Sequence, residues 1–134
     1  MLDWLRKEKL ASLTGAPAVR RQKTYSAQSG YVYQYFYEGQ RPAVFEKEQG
    51  REYVFDVTAD RRAPFPASVF VGEAAVETWE SEHRRSLSAT ERYAIAKLAL
   101  FQAFDERPDP ARMKDPVRVR SADIEAILET LGIE

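Results

Sequence analysis

The sequence predicts an α+β domain, an antiparallel meander of three to four strands with N-terminal and C-terminal helices packed mainly on one face. Three observations lead there. Residues 31–37 read Tyr-Val-Tyr-Gln-Tyr-Phe-Tyr and Tyr25 shares their odd parity, so an extended chain turns five of the seven tyrosines to one side. Up to residue 71 apolar residues alternate in short runs broken by turn formers. From residue 72 they recur at the three-to-four spacing of helices. The 134 residues are thus expected to form one domain: an N-terminal helix over 1–15, a linker over 16–23, a sheet over 24–71 and a helical part over 72–134.

Each element has its own warrant. Leu2, Leu5, Leu10 and Leu13 recur at near-helical spacing and Gly15 offers a C-cap, which predicts a short first helix over 2–13. Gly15, Pro17 and the basic residues Arg20, Arg21 and Lys23 read as a linker. A long aromatic strand follows over Thr24–Glu38, bent at Ser29-Gly30. Glu38-Gly39-Gln40-Arg41-Pro42 reads as a turn, Ala43–Lys47 as a short edge strand and Gln49-Gly50 as a second turn. In the strand Glu52–Ala59, Tyr53, Phe55, Val57 and Ala59 face one way and Val54, Asp56 and Thr58 the other. After the loop 60–64, the strand Pro66–Val71 sets Ala67, Val69 and Val71 against Ser68 and Phe70.

Helices take over after Gly72. Ala75, Val76, Trp79 and His83 share one face of the first, whose acidic residues lie early and whose Arg84-Arg85 pair lies at its end, as the helix dipole favours. Ser88-Ala89-Thr90-Glu91 is a capping box that starts a helix running to about Glu106. That helix is apolar nearly all round and therefore expected at the centre of the core. Arg107-Pro108-Asp109-Pro110 ends it. A loop with Arg112, Lys114, Arg118 and Arg120 leads to a last helix capped by Ser121, where Ile124, Ile127, Leu128 and Leu131 form the apolar stripe.

Composition narrows the function classes. An apolar share of 44% and a charged share of 31% belong to a folded domain. A net charge of −1 gives no overall attraction to nucleic acid or anionic membrane. The absence of cysteine excludes disulfides and thiol chemistry and fits a reducing compartment. The opening residues carry no uninterrupted apolar stretch and no run is long enough to span a bilayer, so a cytoplasmic protein is expected. Fourteen arginines against six lysines point to a GC-rich, bacterial coding sequence.

The tyrosine stripe demands a cover. Each tyrosine buries about 150–250 Å², so four need about 600–1,000 Å², more than the roughly 300–600 Å² a monomer leaves in its largest patch. The central helix is the expected cover. The opposite sheet face mixes Phe36 and Phe70 with Gln34, Asp56, Thr58 and Ser68, a composition suited to an interface. Phe36 and Phe70, together with Ile124, Ile127, Leu128 and Leu131 of the last helix, are the candidate interface residues. Tyr33, Tyr35 and Asp56 are the candidates for lining a small-molecule pocket.

No phosphate loop, dinucleotide fingerprint, nucleophile elbow or paired-histidine zinc motif is present. His83 is the only histidine and has no cysteine beside it, so neither a metal nor a cofactor is expected. Lys97, alone in an apolar helix, is expected to carry its ammonium to the surface. The residues favour a non-catalytic protein that works by association, as a homodimer or docked on a larger partner. Single-stranded nucleic-acid binding through tyrosines and basic loops, and a small-molecule binder or enzyme with a tyrosine-lined pocket, are the alternatives.

Overall fold

A computed structural model describes residues 11–133. The helix expected over 2–13 lies outside the described residues, except for 11–13, which are irregular. The element order is β1 (Lys23–Ser26), β2 (Val32–Phe45), β3 (Glu48–Ala59), β4 (Phe65–Gly72), α1 (Glu73–His83), α2 (Ala89–Glu106), a 3-10 turn (Pro110–Lys114), β5 (Val117–Val119) and α3 (Ser121–Thr130). The five strands lie side by side in sequence order. The first four form the antiparallel meander, and β5 adds to β4 in parallel after the helical crossover. The fold is α+β, with five strands against the three to four expected; the expected edge strand Ala43–Lys47 is the end of β2 and the turn that follows it.

The tyrosine strand is two strands. The chain reverses at Ala27–Gly30, where the Ala27 amide donates to the Tyr31 carbonyl at 2.9 Å and the Gly30 amide to Ala27 at 3.0 Å. The expected bend at Ser29-Gly30 is therefore a full hairpin. Parity survives the reversal, because Tyr25 pairs with Tyr33 and paired residues share a face. The segment expected as a turn at Glu38–Pro42 is instead a bulge inside β2, between Tyr37 and Gly39. Gly39 sits at φ +123°, and a Cβ there would meet the Thr14 carbonyl oxygen at 2.7 Å. That close approach lets Thr14 and Gln40 exchange two 2.8 Å backbone bonds, which tie residues 11–22 to the sheet edge.

The second hairpin turns at Glu46-Lys47, not at Gln49-Gly50. Both turn residues have positive φ, 48° and 69°, the primed conformation that matches strand twist. Neither is a glycine or asparagine, so the local sequence carries no turn signal. Gly50 lies within β3, where a Cβ would meet the Phe70 ring at 2.6 Å. β5 also lay in an expected loop, since Val-Arg-Val is too short for alternation to register.

The helices agree closely with expectation. The Ser88 hydroxyl accepts from the Glu91 amide at 3.1 Å and the Glu91 carboxylate from the Ser88 amide at 2.9 Å, closing the capping box of α2. For α3 the N-cap is Arg120, one residue before the expected Ser121, and the Asp123 carboxylate accepts from the Arg120 amide at 2.9 Å. The core lies between one sheet face and the helices: Tyr33, Tyr35, Tyr53, Phe55, Val57, Val69 and Val71 pack with Trp79, Ile95, Leu100, Phe104, Ile124 and Leu128. Tyr33 stacks on Phe104 with centroids 4.0 Å apart, and Tyr25 on Phe101 at 4.3 Å. The Asp105 carboxylate accepts from the Tyr25 hydroxyl at 2.8 Å and the Gln28 amide at 2.9 Å, so the first hairpin is latched to the end of α2. The expected cover of the tyrosines is this helix.

Candidate association surface

With the core on one side, the sheet's other face is the place to look for function. Pleating brings Gln34, Phe36, Arg41, Phe45, Glu52, Val54, Asp56, Ser68 and Phe70 to it, with the bulge residue Glu38 alongside. Val54 and Phe70 are buried yet lie outside the helix-side core. Among the described residues no helix packs on this face. The face carries, among the described residues, three arginine clamps, two of which set a guanidinium over an aromatic ring.

The first comes from the segment before β1. Arg20 donates to Glu38 Oε1 through Nε at 2.9 Å and Nη2 at 2.6 Å, and to Asp56 Oδ2 at 3.0 Å. Its guanidinium carbon lies 3.8 Å from the centre of the Phe36 ring. The Thr14–Gln40 bridge holds the segment so that Arg20 can reach across two strands. In the second clamp, Glu52 takes Arg41 Nε at 2.6 Å and accepts from the Ser68 hydroxyl. In the third, Arg118 of β5 reaches Glu46 at 3.0 Å and Glu48 at 2.6 Å, with its guanidinium 5.0 Å from the Phe45 ring. Phe45 in turn lies 5.5 Å from Phe70, in the space left by Gly50.

The carboxylates raise the pKa of both Arg20 and Arg118, Glu38 acting most strongly on the first and Glu48 on the second. Exposed ion pairs are screened by solvent and contribute little to stability, so their larger effect is positional. In two of the three they hold a guanidinium group over an aromatic ring, Arg20 over Phe36 and Arg118 over Phe45. Five carboxylates meet three arginines here, leaving two negative charges unmatched. The resulting surface is rich in arginine and aromatic groups and mildly acidic.

The expected site residues divide. Phe36 is half-buried on this face under Arg20. Phe70 is on the same face but only 3% exposed, a small inner core rather than a contact residue. Ile124, Ile127 and Leu128 are not available as an interface, because they are consumed in the domain's own core. Only Leu131, 39% exposed, remains at the surface of that helix.

The pocket candidates are not brought together. Tyr33 is wholly buried and Tyr35 is 3% exposed, both on the helix side. Asp56 points to the opposite side, beside Arg20. Burial pushes the Tyr35 and Tyr37 phenols up to about 12, so they stay protonated and offer no base near neutrality. A surface cleft of about 280 Å³ between β3 and α1, lined by Pro42, Arg51, Tyr53, Glu73, Glu77 and Arg92, does not include the expected residues. Lys97 is half-buried, with its ammonium 5.7 Å from the Phe101 ring.

Sequence reasoning missed all three arginine clamps. Arg20 and Arg118 lay in segments read as linker and loop, and their partners are 18 to 72 residues away along the chain. Only the alternation of Phe36, Asp56, Ser68 and Phe70 pointed to the face they occupy. No helix among the described residues is long and apolar enough to cross a membrane. The sequence matches no protein-family model, no curated protein and no solved structure.

Proposed function

We propose that this chain is a non-catalytic association module of the cytoplasm, which docks on a protein partner through the outer face of its sheet. One observation carries the reading: a sheet face with no helix over it among the described residues bears arginine guanidinium groups over the rings of Phe36, at 3.8 Å, and Phe45, at 5.0 Å. Arginine and aromatic side chains are the types enriched at the energetic centres of interfaces. Their fixed geometry reduces the ordering cost of binding. The two unmatched negative charges favour a partner with a basic surface over face-to-face pairing of two copies.

The alternatives draw less support. For single strands of nucleic acid, the stacking tyrosines are buried under α2 and the arginines of the open face are already neutralised. For a ligand pocket, Asp56 and the tyrosines occupy opposite sides of the sheet.

The test compares the wild-type chain with Phe36→Ser and Arg20→Ala as immobilised baits, after circular dichroism has established that all three are folded. A partner retained by wild type, released by moderate salt and lost from both variants supports the reading. Equal retention by all three contradicts it. Light scattering on the same proteins identifies self-association: a wild-type dimer abolished by Phe36→Ser would make the partner a second copy.

A further inference from the structure

We propose that the junction of α1 and α3 binds a divalent cation of the zinc type through Glu82, His83 and Glu125. One ligand atom from each of these residues falls within 4.8 Å of the other two. The last residues of α1 supply Glu82 and His83, and the middle of α3 supplies Glu125.

The histidine is prepared for this. Its ring stacks on Trp79 with centroids 4.1 Å apart and planes within 12°, which fixes its plane. Nδ1 lies 2.9 Å from the Trp79 carbonyl oxygen. A carbonyl only accepts, so Nδ1 carries the proton, and in the neutral ring the lone pair is on Nε2. A ring that donates one N–H to a backbone carbonyl and presents the other nitrogen outward is the arrangement usual for metal-binding histidines.

Nε2 faces Glu125 Oε1 at 3.4 Å. Two lone-pair atoms face one another there, an arrangement that a cation between them, a proton or a metal ion, would favour. Ligand bonds of about 2.0–2.1 Å at a tetrahedral zinc place neighbouring donor atoms about 3.3–3.4 Å apart. The 3.4 Å separation of this pair matches that spacing, within a three-residue set whose donor atoms all lie within 4.8 Å of one another, and it is long for a charged N–H···O bond, ordinarily about 2.7–2.9 Å. Glu82 supplies the third ligand and water the remainder. Imidazole with carboxylates is a donor set suited to zinc and its first-row neighbours. His83 and Glu125 both keep contact with solvent, with side chains 27% and 51% exposed, so an ion can enter without opening the core. The bound ion would join the end of α1 to α3, fastening the C-terminal helix to the domain.

The stacked indole gives a direct readout. In a Trp4→Phe background Trp79 is the only tryptophan, and paramagnetic Co²⁺ bound at His83 would quench its fluorescence. The expected result is saturable quenching by CoCl₂, reversed by a chelator and displaced by ZnCl₂. His83→Gln should abolish it, and Glu125→Gln should weaken binding about tenfold or more. ZnCl₂ should also raise the melting temperature of the wild-type chain but not of His83→Gln. Absence of saturable quenching up to millimolar metal, or quenching undiminished in a folded His83→Gln, would overturn the site. So would a His83–Glu125 pair whose only response is to protons.

Discussion

At the scale of single residues, the tyrosines set the terms of stability. The Tyr33 hydroxyl is buried, and no hydrogen-bond partner stands beside it. An unpaired buried hydroxyl costs about 1–3 kcal/mol, while the ring itself stacks on Phe104. Tyr33→Phe keeps the ring and removes the orphan, so chemical denaturation should show it unchanged or stabilised by up to about 1 kcal/mol. A clear loss of stability would mean that the hydroxyl has a partner. Burial also raises the pKa of Tyr33, Tyr53 and Tyr93, and takes Tyr35 and Tyr37 to about 12. Unfolded phenols titrate near about 10. Between those values the folded chain holds more protons than the unfolded one, so stability is complete below about pH 10 and falls as pH rises toward 12. Phenolate absorbance from these five rings should therefore appear together with loss of circular dichroism, in one cooperative alkaline step. Gradual ionisation of all the phenols around their ordinary value, with the fold intact, would contradict it. The parity of these rings was legible because a strand has period two. The isolation of one hydroxyl was not, because it depends on what α2 brings against it.

Elements announced themselves unequally. The start of α2 was readable to the residue, since a capping box is local and both its bonds fall within four positions of the chain. Ser88→Ala should cost about 1 kcal/mol, measured as a shift in the denaturation midpoint. Glu91, whose pKa is lowered first by the Ser88 amide and then by Arg85, should contribute above the ordinary carboxylate range and lose its effect as pH falls through it. The wild-type advantage over Glu91→Gln should accordingly narrow in acid; an advantage unchanged down to acid pH would show that the carboxylate is not held by the Ser88 amide and Arg85. Turns were harder. Glu46-Lys47 adopts positive φ without glycine or asparagine because Phe45 and Glu48 close the ladder around it. The bulge at Gly39 was read as a turn because glycine marks both, and only the approach of Thr14 tells them apart. β5 exists because β4 offers an edge, which no three-residue window can reveal.

For the whole molecule, the governing fact is that the two sheet faces have different work. The helix-side face could be read from the sequence, as every odd tyrosine needed a cover and one helix was apolar enough to give it. The outer face was only half legible. Its aromatic and polar residues were named, but two of the three arginines that organise them, Arg20 and Arg118, arrive from distant segments. Phe70 illustrates the consequence. As a contact residue its loss would leave the fold intact, but buried against Phe45 its change to serine should cost about 3–5 kcal/mol, the range for removing a buried phenylalanine ring. Phe36→Ser should cost far less, and urea denaturation of the two variants side by side checks the difference. Equal costs would mean that the clamps do not divide this face into an inner core and a contact surface.

Which face is spent on the core decides which one a partner can meet, and nitration of the native chain by tetranitromethane, mapped by mass spectrometry, reads that directly. Tyr33, Tyr35 and Tyr53 should resist modification until the protein is unfolded, while half-exposed Tyr31 reacts first. Modification of Tyr33 and Tyr35 as fast as Tyr31 in the folded chain would place solvent where α2 should be, and the account of both faces would fail.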